Sequence, residues 1–493
     1  MKKIPFIVVG ILLLILSSCN DFLDINPQGV LTQEAFPLTA EDALLATNAV
    51  YATLRNWHYH SGGFPILDIM SDDAYKGSNH NDALNTVGPY DNFTITPTQD
   101  GLDRWWAALY EGIKRANVVI ENLAEIAMEP DLKERYMAEA KFLRALYYFD
   151  LVRAWGAVPL VETTHPPLKL ERSEAALIYT RVENDLLSAI LALPEKSEYG
   201  SDELGRATKG AAKALLAKVY LFQHDYPKAA QYALEVINGS QFYDLEPNFL
   251  DANGEQGEHG VESVFEIGAI AIEGSFGNQY ANTQGVRGTP NRGWGFNRPS
   301  EELRAAFEPD DPRLKATIID LGDVIDGVTI LGDGSTPDFI YDADGNIIER
   351  ECYNRKVWIS GENTSTQFGH NRRIIRFADV LLIAAEALNE TNRPAEALTY
   401  LNRIRQRARN NDPNILPDIN TLNKDELRNI ILHERRVELA LEGHRYWDLI
   451  RTGSAPTVLG PLGFKQGRDE LLPIPQNEID ISQGTLTQNP NWN

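Results

Sequence analysis

Two stretches of this chain share one pattern, and that pattern restricts the fold more than any other feature. AAKALLAKVYLFQHDYPKAAQYALEVI at 211–237 and RFADVLLIAAEALNETNRPAEALTYLNRI at 376–404 each place alanines where two helices approach closely, then a polar turn, then a second amphipathic helix that opens with a proline. Such a pair cannot bury its apolar face alone and must stack on neighbours, which is the grammar of tetratricopeptide-type repeats; a generic helical bundle shares much of it. Hydrophobic periodicity predicts helices at about 39–55, 102–126, 132–155, 173–193, 208–223, 227–237, 373–389, 394–409 and 424–442, the two pairs included, with few and short strands. The expected architecture is mainly α: a scaffold of helix pairs at about 39–240 and 372–452, then an irregular C-terminal segment, 453–493.

Two long stretches interrupt this scaffold. HYHSGGFPILDIMSDDAYKGSNHNDALNTVGPYDNFT at 58–94 and the Gly-, Asn-, Asp- and Pro-rich region 253–369, which contains GSFGNQYANTQGVRGTPNRGWGFNRPS, are too long for ordinary connections. Long loops on a rigid scaffold are where binding usually resides, although they are also where insertions are tolerated. Both carry aromatic residues beside Asn, Asp, Arg and His, which favours binding.

With 493 residues and 43% apolar side chains the chain has enough material for a large core. A net charge of −24 argues against nucleic acid, whose phosphates need a basic face. The N-terminus, MKKIPFIVVGILLLILSSCN, has Lys2 and Lys3, an apolar run from Ile4 to Leu16, then Ser17-Ser18-Cys19. The apolar run is short for a spanning helix, so 1–18 reads as a signal peptide. Small residues before a cysteine resemble the bacterial lipoprotein box, which implies cleavage before Cys19 and a lipid anchor on that residue. The one other cysteine, Cys352, leaves the mature chain without an internal disulfide or a Cys-rich zinc site.

HERRVELALEGHRYWDLIRTG at 433–453 begins like a zinc-protease helix, but the second histidine would have to stand where Val437 is. Leu427, Ile430, Ile431 and Leu441 mark the buried stripe, and the 100° helical step puts Glu434 and Glu438 on it as well. Buried carboxylates need partners, and arginines of this segment or of neighbouring helices, Arg435, Arg436 and Arg445 among them, are the natural ones. The segment is therefore expected to lock helices together. Asp342-Ala343-Asp344-Gly345-Asn346 begins like a calcium loop, but Tyr353 stands where the twelfth-position carboxylate belongs, so a hairpin turn is expected. No spacing turns His58-Tyr59-His60, Asp72, Asp73 or His80 into a metal site, and neither a phosphate loop nor a G-x-S-x-G elbow is present.

The Cys19 box followed by Asn20-Asp21-Phe22-Leu23-Asp24, WWAALYEGIKRANVVIENL at 105–123, AEAKFLRALYYFDLVRAWGAVPLV at 138–161, RFADVLLIAAEALNE, the HERR segment, LLPIPQNEI and QNPNW, in that order, resemble the SusD/RagB family. The resemblance covers essentially the whole mature chain. It implies a surface lipoprotein of Bacteroidota: a single body of tetratricopeptide helix pairs with irregular segments around them, without catalysis or cofactor. Such a receptor captures oligosaccharides, and in some members peptides, and sits as a lid on a SusC-like TonB-dependent outer-membrane transporter. A lipid-anchored glycosidase or protease is the contrasting reading. Because the shared motifs, including Trp105-Trp106, the HERR segment and Gly293-Trp294-Gly295, recur among members with different ligands, the resemblance assigns them to the fold. It directs ligand contacts to the variable loops.

Aromatic faces suit the C–H side of a sugar, and planar amide, carboxylate and guanidinium groups suit its hydroxyls. One candidate set on that basis is Trp57, Tyr59, Asp73, Tyr75, Lys76, Asn79 and His80, and a second is Tyr280, Asn282, Arg292, Trp294 and Trp358. For each aromatic, packing inward to hold its own loop is the competing role.

Overall fold

The structure, a computed structural model, describes residues 36–60, 68–239, 241–271, 279–361, 368–410 and 412–492. The signal peptide and Cys19 lie outside the described residues.

Helix α1 (Ala40–Leu54) starts at Thr39, whose hydroxyl accepts from the Asp42 N–H while the Asp42 carboxylate accepts from the Thr39 N–H. Helices α2 (Leu102–Asn122), α3 (Pro130–Trp155), α4 (Ala175–Ala192) and α5 (Lys209–Phe222) follow, each packed on the one before. Close approach of α2 and α3 requires Gly112, since a Cβ there would collide with the Tyr147 ring. The Tyr147 hydroxyl in turn donates to the Val50 carbonyl at 2.8 Å and ties α3 to α1. Trp105 and Trp155 are fully buried, their rings 5.0 Å apart, so the Trp-Trp motif belongs to the core.

Helix α6 (Tyr226–Gly239) pairs with α5, and its other neighbour is α7 (Phe377–Glu390), which pairs with α8 (Pro394–Ala408) and packs on α9 (Lys424–Glu438). The long irregular segment between α6 and α7 therefore leaves and re-enters at one point, and the helices stack as one solenoid across it. Strands at that point close the gap: β2 (Ser263–Ile267) pairs antiparallel with β6 (Arg372–Arg376). Within the segment lie β3 (Phe296–Pro299) and a hairpin of β4 (Phe339–Tyr341) and β5 (Ile347–Arg350). β3 pairs with β1 (Ala74–Gly77) of the first irregular segment. The hairpin turn is the expected one, with the Asp342 carboxylate accepting from the Asp344 and Asn346 N–H groups.

Three expectations need correction. The helix predicted from residue 373 starts at Phe377, because Arg372–Arg376 pairs its backbone with a strand more than 100 residues earlier in the chain. The helix predicted to residue 442 ends at Glu438: the turn after it, with Leu441 at φ +62 and Gly443 at φ +80, is held by Asp68, whose carboxylate accepts from the N–H groups of Gly443 (2.8 Å) and Arg445 (3.3 Å). The segment after 452 includes short helices at Ala455–Leu459 and Gln476–Ile481 and is anchored by the Trp155 indole, which donates to the Pro473 carbonyl at 2.9 Å.

Glu434 and Glu438 are fully buried and paired, as the helical stripe requires, in part by arginines of the neighbouring helix α8, but not by Arg435, Arg436 or Arg445. Arg313 reaches Glu434 at 2.5 Å and Glu438 at 3.2 Å; Arg405 holds Glu434 at 2.9 Å; Arg376 and Arg407 hold Glu438 at 3.1 and 2.5 Å. Arg435 faces the opposite side and pairs with Asp379 (2.9 Å) and Asp448 (3.1 Å). Arg436 and Arg445 turn to the first irregular segment, where both hold Asp72 and Arg436 also holds Asp73. This helix thus ties the scaffold to both irregular segments, to the second through Glu434 and Glu438 on Arg313 and to the first through Arg436 on Asp72 and Asp73.

Candidate functional site

The two irregular segments converge through backbone pairing. In the β1–β3 ladder Tyr75 lies opposite Arg298 and Gly77 opposite Phe296, and the Ser78 N–H donates to the Gly295 carbonyl at 2.5 Å. Just beyond this end of the ladder Trp294 meets Trp57, which begins a short helical turn (Trp57–His60) after α1. The two indoles are partly exposed, with ring centroids 5.3 Å apart and planes inclined at 57°. Along the ladder opens a cleft of ≈ 290 Å³ walled by Tyr75, His80, Asp91, Arg298, Ile340 and Glu349, among others.

The cleft is polar and largely pre-organised. The Tyr75 hydroxyl lies 2.8 Å from the Ile348 carbonyl and 3.0 Å from the Glu302 carboxylate, which fastens β1 to the β4–β5 hairpin; burial and then Glu302 push its pKa far up. Glu349 is ion-paired to Arg298. Burial, aided by the Glu349 carboxylate, pushes the Asp91 carboxyl up to about 6 against the pull of the Lys76 N–H and charge. Asn79 donates to the Ser335 hydroxyl at 3.1 Å, a further tie between the segments.

Of the other predicted residues, Lys76, Asp73, Tyr59, Tyr280 and Asn282 hold structure. Lys76 donates its ammonium protons to the carbonyls of Gly77, Asn79 and Asp82 at 2.8, 3.0 and 2.8 Å, and burial followed by Arg298 lowers its pKa. Asp73 is buried on Arg436 at 2.6 Å, and Tyr59 is buried with its hydroxyl donating to Asp150 at 3.1 Å. Tyr280 is buried beneath the Arg372 guanidinium, 4.6 Å from the ring centre, and the buried Asn282 amide donates to Gln279 at 2.9 Å. Arg292 and Trp358 form a pair of their own: the guanidinium lies 5.5 Å from the ring centre, and the indole N–H donates to Asp326 at 2.8 Å.

The structure therefore brings Trp57 to Trp294 and gathers Tyr75, Lys76 and His80 at one cleft, while Tyr59, Asp73, Tyr280 and Asn282 face inward. Sequence reading missed Asp91, Arg298, Ile340 and Glu349. The signal available for the last two was the hairpin turn at Asp342: alternation along its strands places Ile340 and Glu349 opposite each other in register, both on the cleft.

A helical-repeat scaffold whose two irregular segments are zipped into one aromatic and polar face defines the class to which the comparisons point. A model of the SusD family matches residues 262–463, and a second, described as starch-binding and associating with the outer membrane, matches residues 21–221. The chain is 32% identical over 514 residues to SusD-like protein P2 of Formosa agariphila, covering 99% of each. It belongs to the SusD family. Among solved structures, a laminarin-binding SusD-like protein superposes with a TM-score of 0.77 at 31% identity, over 92% of this chain and 100% of that one. Surface glycan-binding protein A of Bacteroides thetaiotaomicron, in complex with laminarihexaose, gives 0.75 at 28% identity, over 92% and 99%.

Proposed function

We propose that this protein is a non-catalytic, surface-exposed lipoprotein that captures oligosaccharides on its irregular face and passes them to a SusC-like TonB-dependent transporter. The observation that carries the reading is the convergence of residues 68–94 and 279–361 into one face with a partly exposed tryptophan pair beside a polar cleft. Indole surfaces offer stacking area to sugar C–H groups, and a rigid scaffold beneath them limits the ordering cost of binding. The names of the laminarin- and laminarihexaose-binding relatives support a glucan as the first ligand to try. The adjacent acids Asp72 and Asp73 are held by Arg436 and Arg445.

Calorimetry with laminarihexaose tests the reading. Trp57→Ala and Trp294→Ala are each expected to weaken binding by about 1–3 kcal/mol through lost area and aromatic geometry. Binding of neither laminarihexaose nor any other glycan, with uptake of a peptide instead, overturns it in favour of peptide capture; cleavage of the glycan during incubation overturns the non-catalytic assignment.

The lipid anchor is tested separately. Among the described residues no helix is long and apolar enough to cross a membrane. Cys19→Ala is expected to abolish acyl labelling and to release the protein from the outer membrane when the transporter is absent. Continued membrane fractionation of that variant would contradict the anchor.

A further inference from the structure

Arg292 is a buried arginine that meets a ring and, among the described residues, no carboxylate. It is only 8% exposed, yet its Nε and Nη1 atoms have no hydrogen-bond partner, and among the described residues no carboxylate lies within ion-pair distance. Arg298, Arg304, Arg407 and Arg436 also have an unpartnered nitrogen, but each is held by a carboxylate through another. Arg292 has the Trp358 ring instead, and a ring face does not replace the hydrogen bonds of two N–H groups withdrawn from water.

The backbone makes this position deliberate rather than loose. The Arg292 N–H donates to the Val286 carbonyl and the Trp294 N–H to the Asn282 carbonyl, both at 2.8 Å. A Cβ on Gly285 or Gly293 would collide with this packed backbone. The same tight turn thus sets Trp294 on Trp57 and, two residues earlier, Arg292 on Trp358. Trp358 itself walls a second groove of ≈ 180 Å³, together with Phe249, Asp326 and Arg355.

We propose that Arg292 is the polar anchor for the captured glycan, laid on Trp358 while the protein is empty. On binding it turns off the indole and donates two parallel hydrogen bonds, from Nη2 together with Nε or Nη1, to a pair of neighbouring sugar oxygens, and the ring face it uncovers takes the C–H side of the same sugar. The inference rests on the glycan-binding reading of this face and adds its specificity contact. The oxygen pair is either two adjacent hydroxyls of a neutral sugar or the carboxylate or sulfate of an acidic one; the guanidinium fork fits both. Holding the cation unpaired costs the empty protein stability, and the ligand repairs that deficit.

The test uses the detergent-solubilised full-length protein and its Arg292→Met and Arg292→Lys variants. Melting is measured without ligand, and affinity is measured for laminarihexaose and for a hexagalacturonate at two salt concentrations. Arg292→Met is expected to melt at or above the wild-type temperature, because an apolar side chain replaces an unpaired buried charge. Affinity for whichever probe the wild type binds should fall about 10- to 100-fold. Arg292→Lys should not restore it, since a point charge cannot supply the fork. Salt-sensitive binding of the uronate marks the acidic source, and salt-insensitive binding of laminarihexaose the neutral one. A lower melting temperature for Arg292→Met, or undiminished affinity, overturns the proposal. Should the wild type bind neither probe, the choice of glycan fails with them; the melting comparison still decides Arg292, a fall making it structural and no fall leaving it held unpaired for a ligand.

Discussion

Glu438→Ala lowers the stability of the fold by about 3–5 kcal/mol, the cost expected when buried charges lose their counterion. Glu438 is fully buried and takes Arg313, Arg376 and Arg407, which arrive from an irregular segment, a strand and helix α8. Removing the carboxylate leaves Arg313 with Asp311 and Glu434, Arg376 with Glu262 and Glu442, and Arg407 with Glu262, so three buried guanidinium groups each lose one counterion around a small cavity. The effect should depend on pH in a defined sense. Burial by itself raises the Glu438 pKa, but Arg407, Arg376 and Arg313 together hold it down to about 2, against an ordinary value of 4.5. A depressed folded-state pKa means that the carboxylate's contribution is fully present above about 4.5 and is lost as the pH falls through about 2. The stability gap between wild type and Glu438→Gln, followed by urea unfolding, should therefore narrow as the pH is lowered from 4.5 towards 2. An equal gap across that range, or a Glu438→Ala protein as stable as wild type, would remove this network from the account of the fold.

Gly77→Ala is expected to cost about 2–5 kcal/mol and to abolish ligand binding with it. Gly77 has φ +71, a region that costs an L-residue roughly 1–2 kcal/mol. Its Cβ would also sit inside van der Waals distance of the Gly295 carbonyl oxygen and close against the Arg298 backbone, adding an overpacking penalty of about 1–3 kcal/mol. The obstructed atoms are backbone and cannot rotate away, so the β1–β3 ladder must open where it joins the two irregular segments. Trp294 is adjacent to Gly295, and its contact with Trp57 depends on that junction. Thermal melting and calorimetry on the same preparation check both halves. A variant that melts and binds like wild type would show that the ladder does not position the tryptophan pair.

Much of the scaffold was legible because helices depend on neighbours three and four residues away. The pairs at 211–237 and 376–404 appear as α5–α6 and α7–α8, and the stripe that marked Glu434 and Glu438 as buried was correct. Errors fell where a distant partner intervened: β2 turns the start of a predicted helix into strand, and Asp68 holds the turn that ends another. The three arginines named as partners of the buried acids were misassigned for the same reason, although Arg405 and Arg407 do come from a neighbouring helix. Helical spacing states which side chains point inward but not which distant guanidinium group meets them, and Arg313 lies more than 100 residues before the glutamates it serves.

For the candidate site the division is sharper. Composition identified the irregular segments and their aromatic residues, yet the side chains that pack inward, such as Tyr59 and Tyr280, look no different in sequence from Trp57 and Trp294. Exposure is a property of how the segments pair, and that pairing is set by the Ala74–Gly77 and Phe296–Pro299 ladder across more than 200 residues. By itself the sequence determined the helix pairs, the family motifs and the burial of Glu434 and Glu438, because each follows from local periodicity or residue order. Only the tertiary structure decided that α6 and α7 stack across the long insertion, which arginines neutralise the core, and that Arg292 stands unpaired on Trp358, because these depend on contacts between residues far apart in the chain.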